Sequence, residues 1–231
     1  NAVIPGSART KPFKTNGFDY AYATGMIHWQ VFKNLTLSGG NSPFFLGSGY
    51  RSVLYSDNSL PTMNFRVNYS LGKKWNFQLI RMQGLNMLRI PFNTNGESLY
   101  ERKALSIGTI YFQPTKHLRI GLVEGGTWTR GDSLQKQAVE GGFYIPLPGA
   151  ATIQQGINGK STAYLGIDFN WRVWNLLLYG QYGRNPFTKS SDVGQIGLRY
   201  WPFKSPDYLV QVEYNHTSSN AYKSSNPRIH Y

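Results

Sequence analysis

Thr62 to Leu71 alternates without a break, with Met63, Phe65, Val67, Tyr69 and Leu71 on one parity and Asn64, Arg66, Asn68 and Ser70 on the other. A strict period of two fits a β-strand with two unlike faces and does not fit a helix. Gly72-Lys73-Lys74 then turns the chain into a second long strand, Trp75 to about Leu88. The same unit recurs. Tyr20 to Val31 and Leu35 to Gly40 flank Phe32-Lys33-Asn34, and Ala104 to Phe112 and Leu118 to Trp128 flank Gln113 to His117. Tyr164 to Arg172 and Trp174 to Gly183 meet near Val173, and Val193 to Trp201 and Tyr208 to His216 flank Pro202 to Asp207. About ten strands in about five hairpins result, each near the ~9–11 residues that cross a bilayer when tilted. All 12 prolines lie outside these spans, as the loss of a ladder donor requires.

Three features turn this meander toward a membrane. Short turns alternate with long connections (41–61, about 89–103, about 129–163, about 184–192), the asymmetry of outer-membrane barrels. Trp29, Trp75, Trp171, Trp174 and Trp201 stand beside the short turns, so all but one of the 6 tryptophans gather at one end of the hairpins. One strand face is apolar (Leu118, Ile120, Leu122; Leu165, Ile167, Phe169), while Arg66, Arg119, Asp168, Gln211 and Glu213 need a polar surround. The expected fold is an all-β, antiparallel, up-and-down transmembrane β-barrel in a bacterial outer membrane. It comprises about ten strands over residues 1–231, either as the visible barrel or as part of a larger one. No run approaches 18 apolar residues, so no transmembrane helix is expected. The chain begins with Asn1 after no leader pattern, and a processed or incomplete chain is expected. Asn1 to Gly17 reads as an irregular lead-in.

The stretch Asn41 to Pro61, NSPFFLGSGYRSVLYSDNSLP, breaks the alternation. Gly47, Gly49 and Ser56 to Ser59 suit turns, yet Phe44, Phe45, Tyr50, Val53, Leu54 and Tyr55 carry more apolar bulk than a solvated loop needs. This segment is expected to fold against or into the barrel mouth as a plug, with Arg51 held by a buried pair to Asp57.

GSGYRSVLYSDNS, with SARTKPF and GFDYAYATG before it and VEYNHTSSNAYKSSNP near the end, resembles the Wzi-like capsule-assembly family, which includes barrels of gliding bacteria. The resemblance runs from about Ser7 to the C-terminus. It implies an outer-membrane lectin that anchors surface polysaccharide and acts without catalysis. Relatives are longer at both ends, so further strands are implied.

Sugar rings need flat aromatic faces, and an acidic glycan needs cations, which a net charge of +13 supplies. The polysaccharide-binding candidates are Tyr50, Arg51, Asp57, Asn58, Trp128 and Arg130, although the Asx-type hydrogen bonds open to Asp57 and Asn58 favour an internal brace around Arg51. Arg66, Arg81, Arg119, Arg199, Asp168 and Glu213 are expected to line a lumen. The arginines either meet glycan carboxylates or pair with Glu124, Asp168 and Glu213. Expected partners are surface polysaccharide, outer-membrane lipid and lipopolysaccharide, and other outer-membrane proteins; nucleic acid is not expected, because the basic residues are spread through the hairpins. With no cysteine, four scattered histidines and 11 acidic residues, neither a metal site, a cofactor nor a glycosidase pair is expected. The alternative function is a passive pore or a structural subunit of an outer-membrane complex.

Overall fold

The computed structural model describes residues 11–19, 23–58, 61–89, 100–129, 139, 141–145, 147–159, 161–204 and 208–224. Within the lead-in, β1 (Lys11–Phe13) and β2 (Gly17–Asp19) pair as a small hairpin, so this part is not irregular. The main sheet has ten strands: β3 (Gly25–Phe32), β4 (Leu35–Ser42), β5 (Thr62–Leu71), β6 (Trp75–Arg89), β7 (Tyr100–Thr115), β8 (Leu118–Thr129), β9 (Ser161–Val173), β10 (Leu176–Arg184), β11 (Val193–Tyr200) and β12 (Val210–Thr217). Each pairs antiparallel with its sequence neighbours, in the order β12 back to β3. This is the expected up-and-down meander. Among the described residues β3 and β12 are its two edges, and the sheet is open. Pro114 lies inside β7 rather than beyond it, at the register shift between Phe112 and Thr115, where a bulge leaves no ladder donor to lose.

Apart from shifts at Gln30/Phe32, Leu85/Arg89 and Phe112/Thr115, the register is continuous, so parity assigns the strand residues between them to one of two faces. Arg66, Ile80, Ile107, Gly125 and Tyr164 are successive partners on one face, and Phe65, Arg81, Ser106 and Gly126 on the other. Residues 43–58 lie on the first, the covered face. There Leu46, Val53 and Leu54 pack with Ile80, Met82, Leu105, Ile107, Val123, Tyr164 and Val193 in the main core. Burying each such aliphatic side chain stabilises the fold by roughly 1.5–3 kcal/mol.

Covalent reach shows that the sheet is bent round this segment. Ser42 ends β4, and only eight residues on, the Tyr50 amide meets Glu213 of β12. Eight extended residues span at most about 28 Å. Eight strand spacings in a flat sheet come to about 38 Å. The sheet therefore curls toward the segment.

The opposite, open face is apolar through its middle, with Ile27, Met63, Phe65, Ile120, Leu122, Leu165, Ile167, Ile196 and Val212 exposed. Above that band a hairpin from the 129–163 connection lies on it, comprising a 3₁₀ turn (Gly141–Tyr144) and helix α1 (Ala150–Asn158). A nine-residue helix is marginal alone, and it is held by its seat. Ala151 sits in a socket of Ala104, Trp128 and Ala163. The helix has no side-chain cap of its own. Glu124, reaching up from β8, accepts from the Gly149 amide and from the Thr152 amide and Oγ1 at 3.0 and 2.7 Å. A carboxylate there satisfies orphan donors and complements the helix dipole. Gly159 closes the helix in the left-handed region, its amide bonded to Gln155 O at 3.1 Å.

Candidate functional site

The 43–58 segment is fastened to the covered face by strand side chains that satisfy its backbone. Gln181 accepts from Ser52 Oγ at 2.9 Å and the Val53 amide at 3.1 Å, and donates to Leu46 O at 2.9 Å. Glu213 accepts from the Tyr50 amide at 2.7 Å and the Tyr179 hydroxyl at 2.8 Å. Gln195 donates to Arg51 O, Arg199 to Gly49 O at 3.3 Å, and Arg66 to Pro43 O at 3.1 Å. With its side-chain amide in the orientation that satisfies both ends, Asn170 donates to Ser48 Oγ and accepts from Arg119, and the Tyr222 hydroxyl donates to Val53 O at 2.6 Å. Buried backbone needs such partners, and here they replace a ladder.

Two glycines let the backbone come this close. A Cβ on Gly47, at φ +104°, would fall on the Gln181 amide. On Gly49 it would press on Gln195 and Glu213. The glycines that break the strand pattern are therefore the points of closest approach. The segment does fold against the sheet, packed along the covered face from β4 across to β12.

Its tip carries the exposed chemistry. Tyr50 is 70% exposed, and the Arg51 guanidinium lies 4.9 Å from its ring centroid. Arg51 donates to Asn58 Oδ1 at 2.6 Å. Its distance to Asp57 is 4.0 Å, with the two side chains 47% and 52% exposed, so the expected buried Arg51–Asp57 pair is corrected. The carboxylate that holds the tip is Glu213, through backbone. Tyr50, Arg51, Asp57 and Asn58 do come together, as a ring, a cation and two planar acceptors open to solvent.

Of the other candidates, Trp128 is 1% exposed. It lies under the α1 hairpin, donating to Gln154 Oε1 at 3.2 Å and standing edge-on to Phe143, and it offers no face to a sugar. Arg130 lies outside the described residues.

Arg66, Arg119, Arg199, Asp168 and Glu213 share the covered face with the 43–58 segment. Arg66 stacks over Phe44 and Arg199 over Tyr179. Arg119 lies over Tyr111 at 4.6 Å and 3.5 Å from the buried Asp168. Arg81 is a correction. Its partners Phe65 and Ser106 place it on the open face, where it donates to Ile145 O at 2.7 Å and lies over Phe143. Glu124 is on that face too, committed to helix α1 rather than to a lumen arginine.

Below the plug, at the short-turn end of the covered face, a polar cavity of about 270 Å³ is lined by Ser70, Lys73, Asn76, Gln78, Tyr111 and Arg119 among others. Lys73, Lys74 and Arg119 make this cavity cationic. Among the described residues no three His, Asp or Glu side chains gather as metal ligands, and no helix is long and apolar enough to cross a membrane.

Sequence reasoning missed Gln181, Gln195, Asn170, Tyr179 and Tyr222. The available signal was amides at alternate strand positions opposite a glycine-broken, bulky loop. Comparisons with protein-family models, curated proteins and solved structures gave no match.

Proposed function

We propose that this chain forms the wall and internal plug of a transmembrane β-barrel in a bacterial outer membrane. In this reading it resembles the Wzi-like family and holds surface polysaccharide without catalysis. The observation that carries the reading is the pair of aromatic residues at the short-turn end that sit exposed in strained backbone. Trp174 (φ +49°) fills a two-residue hairpin turn and Phe203 (φ +61°) the turn after β11, and they are 91% and 84% exposed. Asn or Gly would relieve such a turn, and a bulky residue there costs about 1–2 kcal/mol. In water the Phe203 ring has its edge-on contact with Tyr208 at 6.1 Å to set against that cost, while Trp174 stands 91% exposed. At a bilayer interface an indole or phenyl ring offsets it, and Trp29, Trp75, Trp171 and Tyr208 are exposed at the same end.

The height of the band agrees. From Leu165 to Val173 the chain rises about 26 Å. At a tilt of about 40° that is about 20 Å, before the Trp174 ring is added, against a ~25 Å apolar band in outer-membrane barrels.

The covered face suits a glycan. Tyr50 offers a ring face, Arg51 a fork of donors, and Arg119 with Lys73 a second cationic patch. Purified protein titrated with capsular polysaccharide tests this. For an acidic glycan, retention should fall as salt rises, since screening shortens from about 8 Å at physiological ionic strength to about 3 Å at 1 M. Replacing Tyr50 and Arg51 by Ala should abolish it. Retention unaffected by the double replacement overturns the assignment of the plug tip. Large steady conductance in planar bilayers would support a pore instead.

A further inference from the structure

The open face holds a feature that glycan binding does not use. Residues 141–159, GGFYIPLPGAATIQQGING, contain no charged residue, and Tyr144, Ile145, Leu147, Ile153 and Ile157 are exposed, Ile157 at 77%. An exposed loop meeting water is ordinarily charged. This one continues the apolar surface of the strands beneath it. Where it overhangs the sheet, a groove of about 530 Å³ opens, within the range of small-ligand sites. Its floor is Ile110, Leu122, Leu165 and Ile167, and its walls are Pro148 and Pro186. Arg184 stands at one end. The Arg184 guanidinium is half exposed, with Nε 3.8 Å from Asp192. The charge of Asp192 is met as well by the Tyr182 hydroxyl, which donates to it at 2.6 Å.

Two prolines and four aliphatic side chains make up its floor and walls. Glu124 and Tyr182 border it as well, but the carboxylate is taken up by the Gly149 and Thr152 donors and the hydroxyl by Asp192, so the groove suits a hydrocarbon chain. A guanidinium at the end adds an anionic head, and phosphate matches the planar fork of donors. We infer that the groove binds one acyl chain of an anionic, phosphate-bearing lipid of the surrounding bilayer, with Arg184 taking the phosphate. The inference rests on the membrane reading above and extends it. The 141–159 hairpin becomes the upper wall of a lipid site, and its uncharged surface lies among the outer-leaflet chains.

The test uses the full chain reconstituted in phosphatidylcholine vesicles with a doxyl-labelled phosphatidylglycerol, read by electron spin resonance. The expected result is a strongly immobilised component that saturates at about one lipid per protein. Unlabelled phosphatidylglycerol should displace it better than phosphatidylcholine does. Arg184→Gln should lower that headgroup preference by roughly five-fold, the upper end for a half-exposed ion pair, while leaving a chain immobilised. Leu165→Trp, which fills the groove, should remove the component. Ile120→Trp, also on the open face but outside the groove, should not. An immobilised component that persists in Leu165→Trp, or wild-type protein that inserts and shows only ordinary boundary lipid, overturns the lipid site alone. Wild-type protein that stays out of the vesicles overturns the membrane reading and the site with it.

Discussion

Gly47→Ala is the sharpest test of how the plug is held. At φ +104° a non-glycine residue is strained by about 1–2 kcal/mol. The added methyl would also land on the Gln181 side-chain amide. That amide makes four hydrogen bonds, to Ser52, Val53, Leu46 and Asp168, and cannot swing aside without breaking some of them. Losing two adds about 1–3 kcal/mol. The expected local cost is thus about 2–5 kcal/mol, confined to residues 44–58, because the strand ladders do not pass through this segment. Native-state hydrogen exchange reads it directly. The Leu46 amide, bonded to Tyr55 O at 3.0 Å, reports the segment, and its protection should fall by a factor of roughly 30 to several thousand. Gly72→Ala is the control, since φ is +63° there and nothing lies within 4 Å of the new Cβ, so it should cost the backbone term only and leave Leu46 unaffected. In a Gln181→Ala background the clash is gone, and Gly47→Ala should then cost only about 1–2 kcal/mol. Strictly additive costs, or unchanged Leu46 protection in the single variant, would refute the argument.

Glu124→Ala should release the first turn of α1, at about 1.5–3 kcal/mol for hydrogen bonds to a charged group, seen as faster exchange across 150–158 with the strands unaffected. Val67→Arg puts a cation on the open face and should cost roughly 2–4 kcal/mol in lipid, whereas Asn68→Arg, on the covered face, should cost little; equal heat-modified gel mobility of the two would count against the membrane reading. Trp174→Asn should relieve about 1 kcal/mol of turn strain in detergent while weakening vesicle insertion; unchanged insertion would detach Trp174 from the interface. Burial raises the Tyr222 phenol above its ordinary pKa, partly opposed by a hydrogen bond with Thr217. Its contribution is therefore complete below the unfolded value of about 10 and lost as pH rises through the higher folded one. Plug opening by exchange should steepen in that alkaline window, and Tyr222→Phe should abolish the steepening.

The strands were legible because a period-two pattern is a local property of the chain, and the bounds of β5 in the sequence are those in the structure. The turns, the aromatic rim and a plug too apolar for water were legible for the same reason. Parity even carried information that charge obscured. Trp75, Phe77, Leu79 and Arg81 share one parity, so the open face was already the place for Arg81. A cation there looks wrong until Phe143 and Ile145, more than sixty residues on, are folded over it. Trp128 is the same case, since only the hairpin that covers it tells a buried indole from a sugar platform. Helix α1 has weak propensity and no cap in its own sequence, because its cap is Glu124, supplied by a strand. The plug anchors depend likewise on distance along the chain. Gln181 and Glu213 stand 128 and 163 residues from the backbone amides they satisfy. Local sequence determines which residues can share a face. Which groups across that face complete each other's hydrogen bonds is decided only when the sheet bends and brings them within 3 Å.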